Sequence, residues 1–149
     1  HVFATSGEFL PKRDPLNVHC GKPMHWACYA TWPERPRFAK AYVDAWVKAN
    51  RGNPFWWTVR LDEQVFISVN PQRGVEQASV RLAATGTDIR VPLGRWQEWL
   101  ADPACLGRLS ELDRTALEAL LPDLRKQLPA PHDVVEAIDP HEKQTGRRS

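Results

Sequence analysis

Residues 55–91 read FWWTVRLDEQVFISVNPQRGVEQASVRLAATGTDIRV, and this stretch decides the fold. Apolar and polar side chains alternate with a period of two in four short runs, which begin near Phe55, Val65, Val80 and Ile89. Alternation of this kind is typical of β-strands that have one buried face. Short clusters rich in Asp, Asn, Pro and Gly separate the runs and predict tight turns. The stretch therefore predicts a four-stranded antiparallel meander.

The segments on both sides of this stretch have the periodicity of helices. Upstream, residues 36–50 place apolar side chains on one stripe and charged side chains opposite, as in a long amphipathic helix. Downstream, apolar residues recur at helical spacing in residues 96–100 and again in residues 110–128. Pro122 is expected to kink or restart the second of these C-terminal helices.

The length and composition describe one ordinary globular domain. The chain has 149 residues, of which 42% are hydrophobic and 26% are charged, and seven are tryptophans. We predict an α+β fold that consists of a long amphipathic helix, a four-stranded antiparallel meander and C-terminal helices. Residues 1–128 are predicted to form a single domain. Residues 129–149 are predicted to form a polar tail that is flexible.

Charge and cysteine usage narrow the cellular setting and the partners. The net charge of +2 indicates neither a nucleic-acid nor a membrane partner by itself. No uncharged apolar run approaches the roughly 18 residues of a membrane-spanning helix, so we expect no membrane association. An odd count of three cysteines, irregularly spaced, is not a disulfide framework and favours a reducing compartment. We therefore predict a cytoplasmic protein.

The N-terminal segment carries one cluster of metal-ligating residue types. Residues 19–28 read HCGKPMHWAC and contain His19, Cys20, His25 and Cys28. His25 and Cys28 have a spacing that can present an imidazole and a thiolate to one metal ion at the start of a short helix. Zinc favours such nitrogen and sulfur ligands. Cys20 is the candidate third ligand and His19 the fourth. The alternative is that His25 and Cys28 are core residues on the helix face.

Residues 20–32 resemble the second knuckle of treble-clef and LIM-type zinc domains, in which a pair such as H-x-x-C opens a helix. The resemblance implies a structural zinc and makes residues 1–32 a zinc-knuckle-like segment. The first knuckle of that family, a C-x-x-C pair, is missing, and the region where it would fall holds Thr5, Ser6 and Gly7. Either a segment preceding His1 supplies that pair, or the site has been lost and its residues serve packing.

The polar side chains of the predicted meander form a second candidate site. If the apolar set points inward, aromatic and basic side chains share the outer face, namely Trp56, Arg60, Phe66, Arg81 and Arg90. Such a face suits a protein interface, where aromatic residues and arginine are enriched. It also suits single-stranded nucleic acid, whose bases stack on aromatic rings. A third possibility is that a C-terminal helix covers this face and turns it into a second core layer.

These features predict a non-enzymatic protein-interaction module with a structural zinc, working within a larger protein or assembly. The sequence contains no nucleophile elbow, phosphate-binding loop or metalloprotease motif, so no catalytic residues are assigned. One alternative is a nucleic-acid-binding domain that uses the arginine and aromatic face. The other is a small enzyme that depends on a Cys/His pair such as Cys28 and His25.

Overall fold

A computed structural model describes residues 2–128. In chain order its strands and helices are β1 (Val2–Phe3), β2 (Met24–His25), α1 (Trp26–Thr31), α2 (Arg35–Arg51), β3 (Trp57–Leu61), β4 (Val65–Asn70), β5 (Gln77–Leu82), β6 (Asp88–Pro92), α3 (Trp96–Ala101) and α4 (Glu111–Gln127). Short 3-10 helices span Pro15–His19, Leu93–Arg95 and Pro103–Leu106. Helices combined with one antiparallel four-stranded sheet confirm the predicted α+β fold. The predicted tail, residues 129–149, lies outside the described residues.

The central sheet is a meander in the order β3-β4-β5-β6, and every neighbouring pair is antiparallel. Each pair of strands is joined by a short turn, as the alternating pattern predicted. The register places Ile67 beside Val80 and Val80 beside Ile89. It also shifts between Thr58 and Arg60, where a bulge interrupts β3. A bulge changes which face the following side chains occupy.

The C-terminal helices cover the apolar face of the sheet. Their buried side chains form one cluster with the strands, which includes Val80, Trp96, Trp99 and Leu117. The indole nitrogen of Trp96 donates a hydrogen bond to the carbonyl of Leu128 at 2.8 Å, so a large buried aromatic group keeps its polar atom satisfied. Burial of each large apolar side chain contributes on the order of 1.5–3 kcal/mol.

Helix α4 begins as the sequence indicates and continues past its proline. Ser110 is the N-cap, and its hydroxyl accepts a hydrogen bond from the backbone N–H of Asp113 at 3.1 Å, as expected for a capping residue. Pro122 lies inside the same helix, and α4 is assigned as one element from Glu111 to Gln127. The expected restart at Pro122 is therefore wrong, because the surrounding leucines bury one continuous stripe against the sheet.

Helix α2 lies across the opposite face of the sheet. Its residue Asn50 donates a hydrogen bond to the hydroxyl of Ser68 at 3.1 Å. Near its middle, α2 approaches the β5–β6 turn so closely that a Cβ at Gly86 would lie 3.0 Å from the Tyr42 ring. Gly86 also has a φ of +79°, which favours glycine. Both faces of the sheet are therefore covered, which explains why every residue of β4 is buried.

A second, smaller core forms at the N-terminus. Strands β1 and β2 pair, and Phe3 of β1 stacks on Tyr29 of α1 with ring centroids 3.9 Å apart. Phe38 of α2 belongs to the same buried cluster, with Trp26 and Trp32 packed against it. Helix α1 corresponds to the short helix predicted before Pro33.

Candidate functional site

His25 and Cys28 lie at the beginning of α1, as the sequence predicted. His25 is the residue preceding the helix, and Cys28 is in its first turn. Both residues are exposed, and Cys28 is a free cysteine. Residues three apart at a helix start lie on neighbouring positions of its surface. The pair could therefore supply one imidazole and one thiolate to a metal ion.

His19 and Cys20 have a different environment. The His19 ring meets the edge of Trp32 with centroids 4.8 Å apart, and Cys20 packs against the N-terminal aromatic cluster. Within residues 2–128, no group of three or more His, Cys, Asp or Glu side chains is placed to hold a metal ion. A structural zinc requires four ligands. The described residues therefore do not form a complete site from the four predicted ligands.

Three of the five predicted partner-binding residues lie together. The guanidinium carbon of Arg90 is 4.7 Å from the centroid of the Trp56 ring, and that of Arg81 is 4.4 Å from the Trp46 ring. Asp88 links the two arginines, since it contacts Arg81 at 3.3 Å and also pairs with Arg90. Burial lowers the pKa of Arg81, and the charge of Asp88 opposes that effect.

The other expectations for this face need correction. Phe66 and Arg81 do not point to solvent, because α2 covers the face and leaves them 1% and 3% exposed. Arg60 lies on the other face, since the bulge in β3 pairs it with Ile67 of the main core. Its side chain binds Asp62 and lies 3.5 Å from the Gln127 side chain at the end of α4. The helix that covers the predicted outer face is α2 and not a C-terminal helix.

The structure contains an apolar groove that the sequence analysis missed. It has a volume of about 510 Å³ and lies between α1, the β5–β6 turn and the first two turns of α4. We call it the α1/α4 groove, and its lining residues are Trp26, Ala27, Ala30, Ala84, Ser110, Glu111, Leu112, Thr115 and Ala116. In the sequence, the groove is marked locally only by the alanines at positions 27 and 30 beside Trp26, and these do not reveal the facing wall in α4.

A chain of buried hydrogen bonds holds the walls of this groove. The Tyr29 hydroxyl of α1 donates to the carbonyl of Thr85 at 2.6 Å, and the Thr85 hydroxyl donates to Asp113 of α4 at 2.7 Å. Burial raises the pKa of Tyr29, which keeps the phenol protonated as a donor. Thr85 is fully buried and Asp113 is 2% exposed. Hydrogen bonds in such surroundings are costly to break.

Comparisons with known proteins add no relative. No protein-family model, no curated protein and no solved structure matches this chain. No helix within residues 2–128 is long and apolar enough to cross a membrane.

Proposed function

We propose that this protein is a non-enzymatic protein-interaction module, whose α1/α4 groove binds an amphipathic helical segment of a partner. The single observation that carries the proposal is the groove itself, an apolar depression of about 510 Å³ between two helices. Apolar surface of that kind on a protein exterior is a feature of binding sites.

The chemistry of the lining residues favours a polypeptide over a polar metabolite. Four alanines and two larger apolar residues, Trp26 and Leu112, form most of the surface. Small side chains allow a partner backbone to approach closely, and an aromatic residue such as the partly buried Trp26 is a typical anchor of protein interfaces. A single titratable side chain, Glu111, lies among the described lining residues. The proposed segment therefore carries apolar anchors and one basic residue that pairs with Glu111.

The groove is also suited to binding because its walls are held in place before a partner arrives. Tyr29 and Asp113 come from the two walls, and both bind Thr85 in the turn between them. A preformed site loses less conformational entropy on binding than one that must be ordered.

Selection from a phage-displayed library of amphipathic helical peptides tests the proposal. The native chain should enrich peptides with apolar residues at helical spacing and a Lys or Arg. Ala30→Arg, which places a long charged side chain in the groove, should lose these peptides. Ala101→Arg is the matched control, since Ala101 is an exposed alanine in another six-residue helix and does not line the groove.

Two results would contradict this function. One is the absence of any enriched family of peptides on the native chain. The other is enriched peptides that bind Ala30→Arg as well as they bind the native chain, while circular dichroism shows that both variants are folded.

We propose a structural zinc only as a shared site. His25 and Cys28 would supply two ligands at the exposed start of α1, and two more would come from outside residues 2–128. Zinc bound in this way would stabilise the N-terminal segment and so the α1 wall of the groove. Free thiols among the described residues favour a reducing compartment such as the cytoplasm for this arrangement.

Metal content measured by native mass spectrometry tests the zinc proposal. We expect one zinc per chain, either in residues 1–149 or in a chain that includes any natural residues upstream. Cys28→Ala should lose the metal, and Cys105→Ala should retain it, because Cys105 packs beside the main core. Absence of zinc from both chains would refute the proposal without affecting the groove.

A further inference from the structure

A small polar cavity lies between the end of α2 and the sheet, away from the α1/α4 groove. It has a volume of about 70 Å³ and shares no lining residue with the groove. We call it the arginine cavity, and its polar and aromatic lining is formed by Trp46, Asn50, Asn53, Trp56, Ser68, Ser79, Arg81 and Arg90.

Buried polar side chains line this cavity to an unusual degree. Ser68, Ser79 and Arg81 are 0%, 5% and 3% exposed. Removing polar groups from water is costly unless hydrogen bonds replace those to the solvent. Ser79 already donates to Asp88, and Arg81 donates to the carbonyl of Gly86 and contacts Asp88. Of these three side chains, Ser68 therefore has the donor for which the described residues provide no acceptor.

The charge of the lining is positive. Arg81 and Arg90 both line the cavity, and no carboxylate is among the described lining residues. Their shared counter-ion Asp88 lies outside the lining, and its oxygens already contact Ser79 and both arginines. One carboxylate opposite two guanidinium groups leaves a net positive charge at the cavity.

Ser68 and Arg90 each keep a hydrogen-bond donor that has no acceptor among the described residues. Ser68 accepts a hydrogen bond from Asn50, and the described residues provide no acceptor for its own hydroxyl proton. Arg90 uses its Nε to bind Asp88, which leaves its terminal N–H groups without an acceptor within residues 2–128. Each guanidinium lies over an indole ring, Arg81 over Trp46 and Arg90 over Trp56. Stacking leaves the terminal N–H edge of Arg90 available for an oxyanion. Arg81 instead donates to the carbonyl of Gly86 and contacts Asp88, so it contributes its positive charge.

We infer that the arginine cavity binds an oxyanion of about the size of phosphate, held by the terminal N–H groups of Arg90 and the hydroxyl of Ser68 and attracted by the charge of Arg81. The cavity has too little volume for a nucleoside, so the recognised chemistry is the anionic group alone. That group is either a free anion or the terminal phosphate of a larger molecule that remains outside. Arg90 forms the accessible rim, since its side chain is 43% exposed.

The inference is tested by titrating the full chain with inorganic phosphate. Binding is followed by tryptophan fluorescence, to which Trp46 and Trp56 contribute, and by amide chemical shifts. Saturable binding is expected in the millimolar range or below. Arg90→Gln should weaken it by about tenfold or more, since a charge-assisted hydrogen bond is lost. Arg95→Gln is the matched control, because Arg95 is equally exposed at 44%, pairs with Glu98 and lies outside the cavity. It should change the affinity by less than about twofold.

The sources of the anion are distinguished by competition with a nucleoside monophosphate. Competition at the same site assigns the terminal phosphate of a larger ligand, and failure to compete assigns a free anion; both agree with the inference. Chloride at equal ionic strength must not reproduce the change. Any one of three results would overturn the inference. The first is an equal effect of chloride, and the second is an equal loss of affinity in Arg90→Gln and Arg95→Gln. The third is unaltered phosphate binding in both Arg90→Gln and Ser68→Ala.

Discussion

Replacing Thr85 by valine removes the central hydroxyl of the network that joins the two walls of the groove. This hydroxyl donates to Asp113 at 2.7 Å and accepts from the backbone N–H of Thr87 at 3.2 Å. Valine keeps the branched shape, so the backbone and the carbonyl that accepts from Tyr29 remain in place. The substitution therefore tests the hydrogen bonds with little change in volume.

The expected cost follows from the burial of the partners. Thr85 is 0% and Asp113 is 2% exposed, so solvent cannot replace the lost donor. A hydrogen bond to a charged group contributes about 1.5–3 kcal/mol, and a buried acceptor that has lost its donor is destabilising. We expect Thr85→Val to lower the free energy of unfolding by about 2–3 kcal/mol. For a chain of this length that is a decrease in Tm of about 4–12 °C.

Urea denaturation followed by tryptophan fluorescence measures this effect. The urea concentration at the midpoint should fall while the slope m stays unchanged, because the variant keeps the same folded structure. Thr31→Val is the control, since the Thr31 hydroxyl is exposed and, within residues 2–128, bonds only to carbonyls of its own helix. Its expected change is within about 0.5 kcal/mol.

A double-mutant cycle with Asp113→Ala separates the hydrogen bond from other effects. In that background Thr85→Val should cost at least about 1 kcal/mol less than in the native chain, since the partner is already gone. Two results would refute the claim that this network holds α1 and α4 together. One is a Thr85→Val variant as stable as Thr31→Val, and the other is additive losses of unfolding free energy in the cycle.

Three further predictions concern stability and reactivity. The backbone N–H of Leu16, and after it the Arg37 side chain, lowers the pKa of Asp14. The stability that this carboxylate contributes should be present above about pH 4 and should be lost as the pH falls through its lower folded pKa. Urea midpoints should therefore fall less on acidification in Asp14→Asn than in the native chain. Pro122→Ala restores a helical N–H in α4 and should raise the free energy of unfolding by up to about 3 kcal/mol in the same assay, with no gain contradicting the expectation. Cys28 is exposed while the other two cysteines are half-buried, so a thiol reagent should label it first in the native state, and equal rates at all three would disprove the placement.

The local patterns of the sequence were sufficient for the main elements. Alternation of apolar side chains located the four strands, and the stripe in residues 36–50 located α2, which spans Arg35–Arg51. The helical spacing of apolar residues in 110–128 located α4, which spans Glu111–Gln127. These signals succeed because each strand or helix buries a face whose period is visible in neighbouring residues.

The distribution of the sheet residues over its faces was harder to predict. The bulge in β3 moves Arg60 to the face opposite Arg81, and nothing in the alternation around Val59 marks the inserted residue. The alternating pattern also predicts that Arg81 faces solvent. It is buried instead, because Asp88 and the rings of Tyr42 and Trp46 stabilise its charge. Partners that compensate a buried charge come from distant segments.

The groove could not be predicted, because long-range contacts create it. Tyr29 and Thr85 are 56 residues apart, and Thr85 and Asp113 are 28 apart. The alanines of α1 have no evident role until α4 is placed beside them. The metal ligands show the same limit, since the local H-x-x-C spacing at α1 is present but spacing does not reveal whether further ligands converge.

The most direct test of the proposed function is calorimetric titration of one enriched helical peptide into the native chain, Ala30→Arg and Ala101→Arg. We expect one peptide bound per chain, with an affinity reduced by about a hundredfold or more in Ala30→Arg, as for the loss of an interface centre worth about 3 kcal/mol. Ala101→Arg should bind as the native chain does. Equal affinity for all three folded proteins would contradict the assignment of the α1/α4 groove as the binding site.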